Sequence, residues 1–178
     1  MNYDKTLRGQ CAAFEALNEP AYWSRGAVEN RRILGDGNVE KCSAMRLSNI
    51  ASMCLTIREG SSDIHDAVYV VGTLNPSCVK VGMATDPVAR LAQLQTGNPE
   101  RLFLHRVFWM HRPAAAFELE QRAHAFLGKK SNRLVGEWFD CSQVLAHDTI
   151  INACRSATLG FLAITPNDGK EIKLERII

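Results

Sequence analysis

The chain has 178 residues, 46% of them hydrophobic and 22% charged, and a formal net charge of +2, an ordinary globular composition with room for one domain and a real core. No apolar run approaches the roughly 18 residues of a membrane span, and the opening MNYDKTLRGQ lacks the charged-then-apolar order of a signal peptide. Six scattered cysteines never form a Cys-x-x-Cys, which argues against a disulfide framework or a zinc site, so free thiols and a cytoplasmic protein with no membrane partner are expected.

Residues 1–62 read as an N-terminal helical segment. Leu7, Cys11, Phe14 and Leu17 fall on one face and stop near Pro20. The turn GDGN at 35–38 precedes a second stripe of Val39, Cys42, Met45, Ile50, Met53 and Ile57. No recognition-helix pattern is visible there, so a packing cap is the expectation. Gly60 and the polar EGSSDIHD look like a linker, with a boundary near residue 65 where the pattern changes to period two.

From there two short strands, 67–73 and 79–83, form a hairpin through LNPS. TDPVARLAQLQTGNP is a well-signalled helix. Thr85 or Asp86 caps it, Pro87 opens it, Val88, Leu91 and Leu94 point inward, and Gly97 with Pro99 stops it. Residues 101–109 make a third strand, about 114–127 a helix, GKKSNR a basic loop, VGEWF a short extended piece, and 142–158 a closing helix. The domain runs over 66–158, and 159–178 is a C-terminal tail, polar and loose from Thr165. The order β-β-α-β-α predicts an α+β fold, a small mixed or antiparallel three-stranded sheet flanked by helices.

Charge is uneven along the chain. Residues 67–140 hold nine Lys/Arg against six Asp/Glu, whereas 1–66 hold eight against nine and 141–178 balance at four each. A basic middle suits an anionic partner such as nucleic acid, and a solvated surface accounts for it equally well.

Within that middle, Tyr69 and Lys80 each stand among β-branched residues on adjacent strands, projecting from the face opposite the core. Taken alone they are an ordinary cross-strand pair, and Arg90 is a solvated helix charge. On the helix AAAFELEQRAHAFL, a buried stripe of Ala116, Leu119, Ala123 and Phe126, with Phe117 on the same side, leaves Glu118 and Arg122 toward water and Glu120 at the buried margin. A carboxylate there needs a partner or a cation; a hydrogen bond to His124 at i, i+4 is the simpler account.

Taken in order, AVYVVG, VKVG, PVARL, LEQRAH and GEWF, with LQTGNP among them, resemble the GIY-YIG nuclease superfamily. The similarity is to the phage and bacterial branch whose second motif reads Lys-Ile-Gly. It covers residues 66–140, under half the chain. The resemblance implies that Tyr69 is the tyrosine of the first motif, that Lys80 replaces the tyrosine of the second, and that Arg90 is the helix arginine. It further implies that Glu120 binds the metal, that His124 completes the catalytic set, and that Glu137-Trp138-Phe139 is the closing motif, with Trp138 and Phe139 structural.

The implied chemistry is metal-dependent hydrolysis of DNA phosphodiester bonds, single- or double-stranded, with one Mg²⁺ or Mn²⁺ on Glu120. Arg90 would clamp phosphate oxygens in a two-point fork. Lys80 would favour the Tyr69 phenolate and make it a better base. Lys129, Lys130 and Arg133 would hold the backbone. The alternative is a non-catalytic nucleic-acid-binding module on the same fold, and a third class is a helical interaction protein governed by residues 1–60. Oligomeric state is not fixed by the sequence.

Overall fold

A computed structural model describes residues 38–60, 64–166 and 172–177. The stripe of Leu7, Cys11, Phe14 and Leu17 lies outside these residues. The chain forms two compact units, Met1–Ser43 and Ala44–Ile178, and the account below concerns the second.

Its described elements are α1 (Asn38–Gly60), β1 (Ala67–Gly72), β2 (Val79–Ala84), α2 (Pro87–Thr96), β3 (Phe103–Met110), α3 (Ala115–Lys130), β4 (Asn132–Arg133), β5 (Trp138–Asp140), α4 (Gln143–Ala157), β6 (Phe161–Pro166) and β7 (Ile172–Ile177). The strands form one sheet in the order β4-β5-β2-β1-β3-β6-β7. Every pairing is antiparallel. The α+β class is as the pattern predicts, but the sheet has seven strands rather than three. The additions are two very short strands at one edge and, at the other, β6 and β7, where a loose tail was expected. Phe161, Ala163 and Ile164 explain β6: all three are buried, and the strand pairs with the far edge of β3.

The sheet has a core on each face, so the alternation in β1 does not separate core from solvent. Val68, Val70, Val79, Val81 and Phe108 pack under α3 and α4 with Leu119, Ala123, Leu127, Ala146 and Ile150. The opposite face carries Tyr69, Val71, Leu104, Val107 and Trp109 against Leu47, Ile50 and Cys54 of α1, with Val88, Leu91 and Leu94 of α2 partly buried there. Each fully buried aliphatic side chain contributes about 1.5–3 kcal/mol over exposure, which explains why α1 joins the sheet instead of standing apart beyond a linker. The compact unit begins at Ala44, not near residue 65. Before β1, His65 N–H donates to Met110 O at 3.1 Å and Met110 N–H to Asp66 O at 3.0 Å.

Asp86 ties α1 to α2. Its Oδ1 accepts from the Val88 and Ala89 amides at 3.0 and 2.9 Å, the N-cap expected of aspartate before Pro87. Its other oxygen pairs with Arg58 in the last turn of α1. The LQTGNP stretch is structural: Gln95 Nε2 donates to Asn98 O and Glu100 O, and its Oε1 accepts from Leu102 N–H at 2.8 Å, fastening the turn into β3. Cys54, Cys78, Cys141 and Cys154 are free. Among the described residues no helix is long and apolar enough to cross a membrane.

Candidate active site

Register decides which side chains meet. Tyr69 lies opposite Gly82, and Val71 opposite Lys80, so Tyr69, Gly82 and Lys80 share one face, with Tyr69 and Lys80 as diagonal neighbours. That face is not open. Tyr69 is 1% exposed and Lys80 6%, because α1 and α2 cover it; the expectation that both project away from the core is corrected.

Gly82 is the floor of the arrangement. A Cβ built there would lie 2.6 Å from the Tyr69 hydroxyl, 2.9 Å from its Cζ and 3.2 Å from Glu137 Oε2. The hydroxyl end of the phenol therefore sits directly over the glycine, and the Glu137 carboxylate closes over the same spot. Glu137 Oε2 takes an ion pair from the Lys80 ammonium, and its backbone carbonyl accepts from Val81 N–H at 3.1 Å. From α2, the Arg90 guanidinium comes close enough to the Tyr69 hydroxyl to favour its phenolate, and it donates to Gln93 Oε1 at 2.9 Å.

Glu120 reaches this group around the edge of the sheet. β5 pairs with β2 only at Val79 and Lys80, which leaves the outer side of β2 beyond them without a strand neighbour. Side chains of α3 take over there. His124 Nε2 donates to Val81 O at 2.9 Å, with its ring 5.2 Å from that of Phe139, and the backbone at Met83 helps to hold the Glu120 carboxylate charged. His124 thus serves the strand edge, and the helical Glu120–His124 hydrogen bond does not form. The buried stripe of α3 is Ala115, Ala116, Leu119, Glu120, Ala123 and Leu127. Phe126 is only partly buried against it, and Phe117 is 57% exposed rather than inward.

The electrostatics set the protonation states. Burial pushes the Glu120 carboxyl above its ordinary range, and the Glu137 charge adds to this. Its side-chain partner is Gln121 Nε2 at 3.4 Å, and among the described residues no lysine or arginine pairs with it. Glu118, by contrast, faces water and is held low by hydrogen bonds from Arg112 and Arg122. Burial also raises the Tyr69 phenol above its usual value; Arg90 pulls it down, and Glu137 and Glu120 push it up. The Lys80 ammonium, expected to favour the Tyr69 phenolate, is ion-paired with Glu137 instead.

Of the sequence candidates, Tyr69 lies over Gly82, Lys80 is joined to the same spot through Glu137, Arg90 and Glu120 are within electrostatic reach of the phenol, and His124 bonds the edge of β2. The basic residues do not form a loop. Lys129 and Lys130 are exposed in the last turn of α3, where cations suit the helix end. Arg133 is in β4, donates through Nε to Gly136 O at 2.6 Å and lies over the Phe139 ring. Phe139 is fully buried, and Trp138 is partly buried opposite Lys80; both act as packing residues. The participant the sequence reading missed is Glu137, visible there only as part of GEWF. The available signal was an acidic residue just before the aromatic pair that anchors the edge strand.

The profile of the T5orf172 domain matches residues 66–157, more than half of the chain. The chain belongs to the T5orf172 domain family. In this T5orf172 chain the matched span opens one residue before β1 and closes with α4. It contains Tyr69, Lys80, Gly82, Arg90, Glu120 and Glu137, and leaves α1, β6 and β7 outside. No curated protein and no solved structure matched the chain.

Among the described residues no group of three or more His, Cys, Asp or Glu side chains is arranged to hold a metal. A buried carboxylate with a raised pKa and no cationic partner nevertheless fits a divalent ion held by one protein ligand and waters, the arrangement usual for Mg²⁺.

Proposed function

We propose that this T5orf172 protein is a metal-dependent endonuclease of the GIY-YIG type that hydrolyses DNA phosphodiester bonds. The observation that supports the reading is that the Tyr69 hydroxyl and the Glu137 carboxylate meet over Gly82, with Lys80 ion-paired to Glu137 and with Arg90 and the buried Glu120 within electrostatic reach of the phenol. Phosphodiester hydrolysis needs relief of charge on the phosphoryl oxygens, an activated water, and a proton for the leaving oxygen.

Arg90 supplies the planar fork for two phosphate oxygens, and its hydrogen bond to Gln93 steadies the guanidinium near Tyr69. Tyr69, held protonated by burial, can donate to a phosphoryl oxygen or to the leaving oxygen. Glu120, with Mg²⁺ or Mn²⁺ bound, would be ionised, and the cation would supply Lewis-acid stabilisation and a more acidic water. Lys80 holds Glu137 in place over Gly82 through their ion pair. Lys129 and Lys130 extend the basic surface along which a DNA backbone would run.

A second reading, a nucleic-acid-binding module without turnover, is favoured by one observation: Lys80 is neutralised by Glu137 and the Tyr69 phenol is raised, so neither acts as a base. The two readings separate in one assay. Supercoiled plasmid and single-stranded DNA are incubated with the protein in Mg²⁺, Mn²⁺ or chelator. Nicking that needs the metal supports the nuclease; DNA retention in a gel shift without nicking in either metal supports the module.

A further inference from the structure

The hairpin joining β4 to β5 exposes an apolar tip that the site above does not use. Val135 is 83% exposed and Leu134 50%. The tip is braced, not loose. Leu134 N–H donates to Trp138 O at 2.8 Å and Trp138 N–H to Val135 O at 3.2 Å. Gly136 takes φ 63°, a left-handed turn position that favours glycine, and Arg133 Nε closes on its carbonyl. The next residue, Glu137, is fastened to β2 through the Lys80 ion pair and Val81 N–H. The apolar tip is therefore held at a fixed place relative to Lys80.

Its surroundings say what would cover it. Lys129 and Lys130 are exposed at the base of the hairpin, and Arg133 leads into its tip. The one exposed acid on the hairpin strands is Asp140, paired in register with Asn132. An apolar tip framed by cations matches a polyanion that also presents flat apolar faces, which is a nucleic acid with an unstacked base; inserting aliphatic side chains at a base step is a known way to open it. A purely apolar protein groove would leave the cations unpaired.

We propose that Val135 and Leu134 form a wedge that packs on the face of an unstacked nucleobase next to the phosphodiester group at Arg90 and Lys80. This rests on the nucleic-acid reading of the site. It adds a substrate class, DNA whose base step opens easily (a mismatch, a junction or a single-strand boundary), over a perfectly stacked duplex.

The test uses the full chain and the variants Val135→Ser and Leu134→Ser/Val135→Ser. Both positions are exposed, so equal melting by circular dichroism with wild type is expected. The probes are a fluorescein-labelled duplex with one mismatch carrying 2-aminopurine, the matched duplex, and the single strand. The wild type should bind the mismatched probe more tightly than the matched one and raise its 2-aminopurine fluorescence. The double variant should lose that rise and bind the mismatched probe at least about tenfold more weakly, the lower end for burying one aliphatic side chain. Its salt dependence should be unchanged, because the cations remain.

Unchanged affinity and fluorescence in the double variant would overturn the wedge while leaving the nuclease reading intact. A dimeric wild type that the double variant turns monomeric in light scattering would assign the tip to self-association and overturn it too. A wild type that binds none of the probes would overturn both this proposal and the reading it rests on.

Discussion

Replacing Gly82 by alanine tests the geometry of the site most sharply, because the added methyl has nowhere to go. It would lie 2.6 Å from the Tyr69 hydroxyl and 2.9 Å from its Cζ, closer than any real contact allows. The ring cannot yield cheaply, since Tyr69 is 1% exposed and is packed in the core shared with α1 and α2. Overpacking of this kind costs about 1–3 kcal/mol. Removing a glycine from the unfolded chain returns about 0.4–1 kcal/mol at a position that needs no positive φ, so the net loss is about 0.5–2 kcal/mol. At this chain length that lowers the melting temperature by roughly 2–8 °C. Displacing the phenol also separates it from Arg90, so nicking should fall at least about tenfold, more than the stability loss explains. The double-mutant cycle with Tyr69→Phe makes the argument specific. Phenylalanine removes the nearest clashing atom, so Gly82→Ala should cost about 0.5 kcal/mol or more less in that background. Urea denaturation of the four proteins measures the cycle. Additive costs, or a Gly82→Ala protein as stable and active as wild type, would show that the ring does not rest on Gly82.

The other expectations concern charge. Glu120→Gln should unfold at equal or higher temperature than wild type at pH 7: the folded-state pKa is raised, so the ionised form costs stability once the pH exceeds the unfolded value of about 4.5. Glu118→Gln, at an exposed position, should stay within about 0.5 kcal/mol of wild type; a thermal melt of both at pH 7 checks the pair, and destabilised Glu120→Gln would contradict the burial argument. Glu137→Gln should destabilise by about 1–2 kcal/mol, because it strips Lys80 of its ionic partner, yet by less than a fully buried pair would, since the Glu137 side chain is 37% exposed; a double-mutant cycle with Lys80→Met should recover most of this. His105 is buried between Thr73 O at 2.8 Å and Gln143 Oε1 at 2.9 Å, and burial lowers its pKa. Its contribution is complete above the unfolded value of about 6.5 and is lost as the pH falls below it, so chemical denaturation at pH 7.5 and 5.5 should show an acid loss that His105→Gln reduces; an identical pH slope in the variant would refute it.

Local signals carried the sequence reading a long way and failed where tertiary context intervened. Asp86-Pro87 and Gly97 marked the ends of α2 because caps and helix stops are local chemistry. The 200° or so between Glu118 and Glu120 on a helix correctly sent one to water and one inward. Hydrophobicity alone sends Phe117 to the inner side, yet it is exposed while Ala115, Ala116, Leu119 and Glu120 around it form the buried face of α3. The second core was illegible because β1 alternates only weakly: Tyr69 is apolar enough to be buried, and nothing in AVYVVG shows that α1 will cover it. The polar stretch from Thr165 reads as tail, a composition that the edge strand β7 tolerates, and the short apolar run of β6 pairs with a strand more than fifty residues away, which no local signal shows. Glu137 escaped because its partners, Lys80 and Tyr69, lie more than fifty residues away, and only the pairing of β5 with β2 brings it to them.

The most direct test of the central claim compares wild type with Glu120→Gln in plasmid nicking across a Mg²⁺ titration, with DNA binding measured in parallel by fluorescence anisotropy in chelator. If this is a metal-dependent nuclease built on Glu120, wild type nicks only with the metal, and the variant binds DNA as well as wild type but nicks at no Mg²⁺ concentration. Equal nicking by the two proteins, or nicking by wild type in chelator, would contradict it.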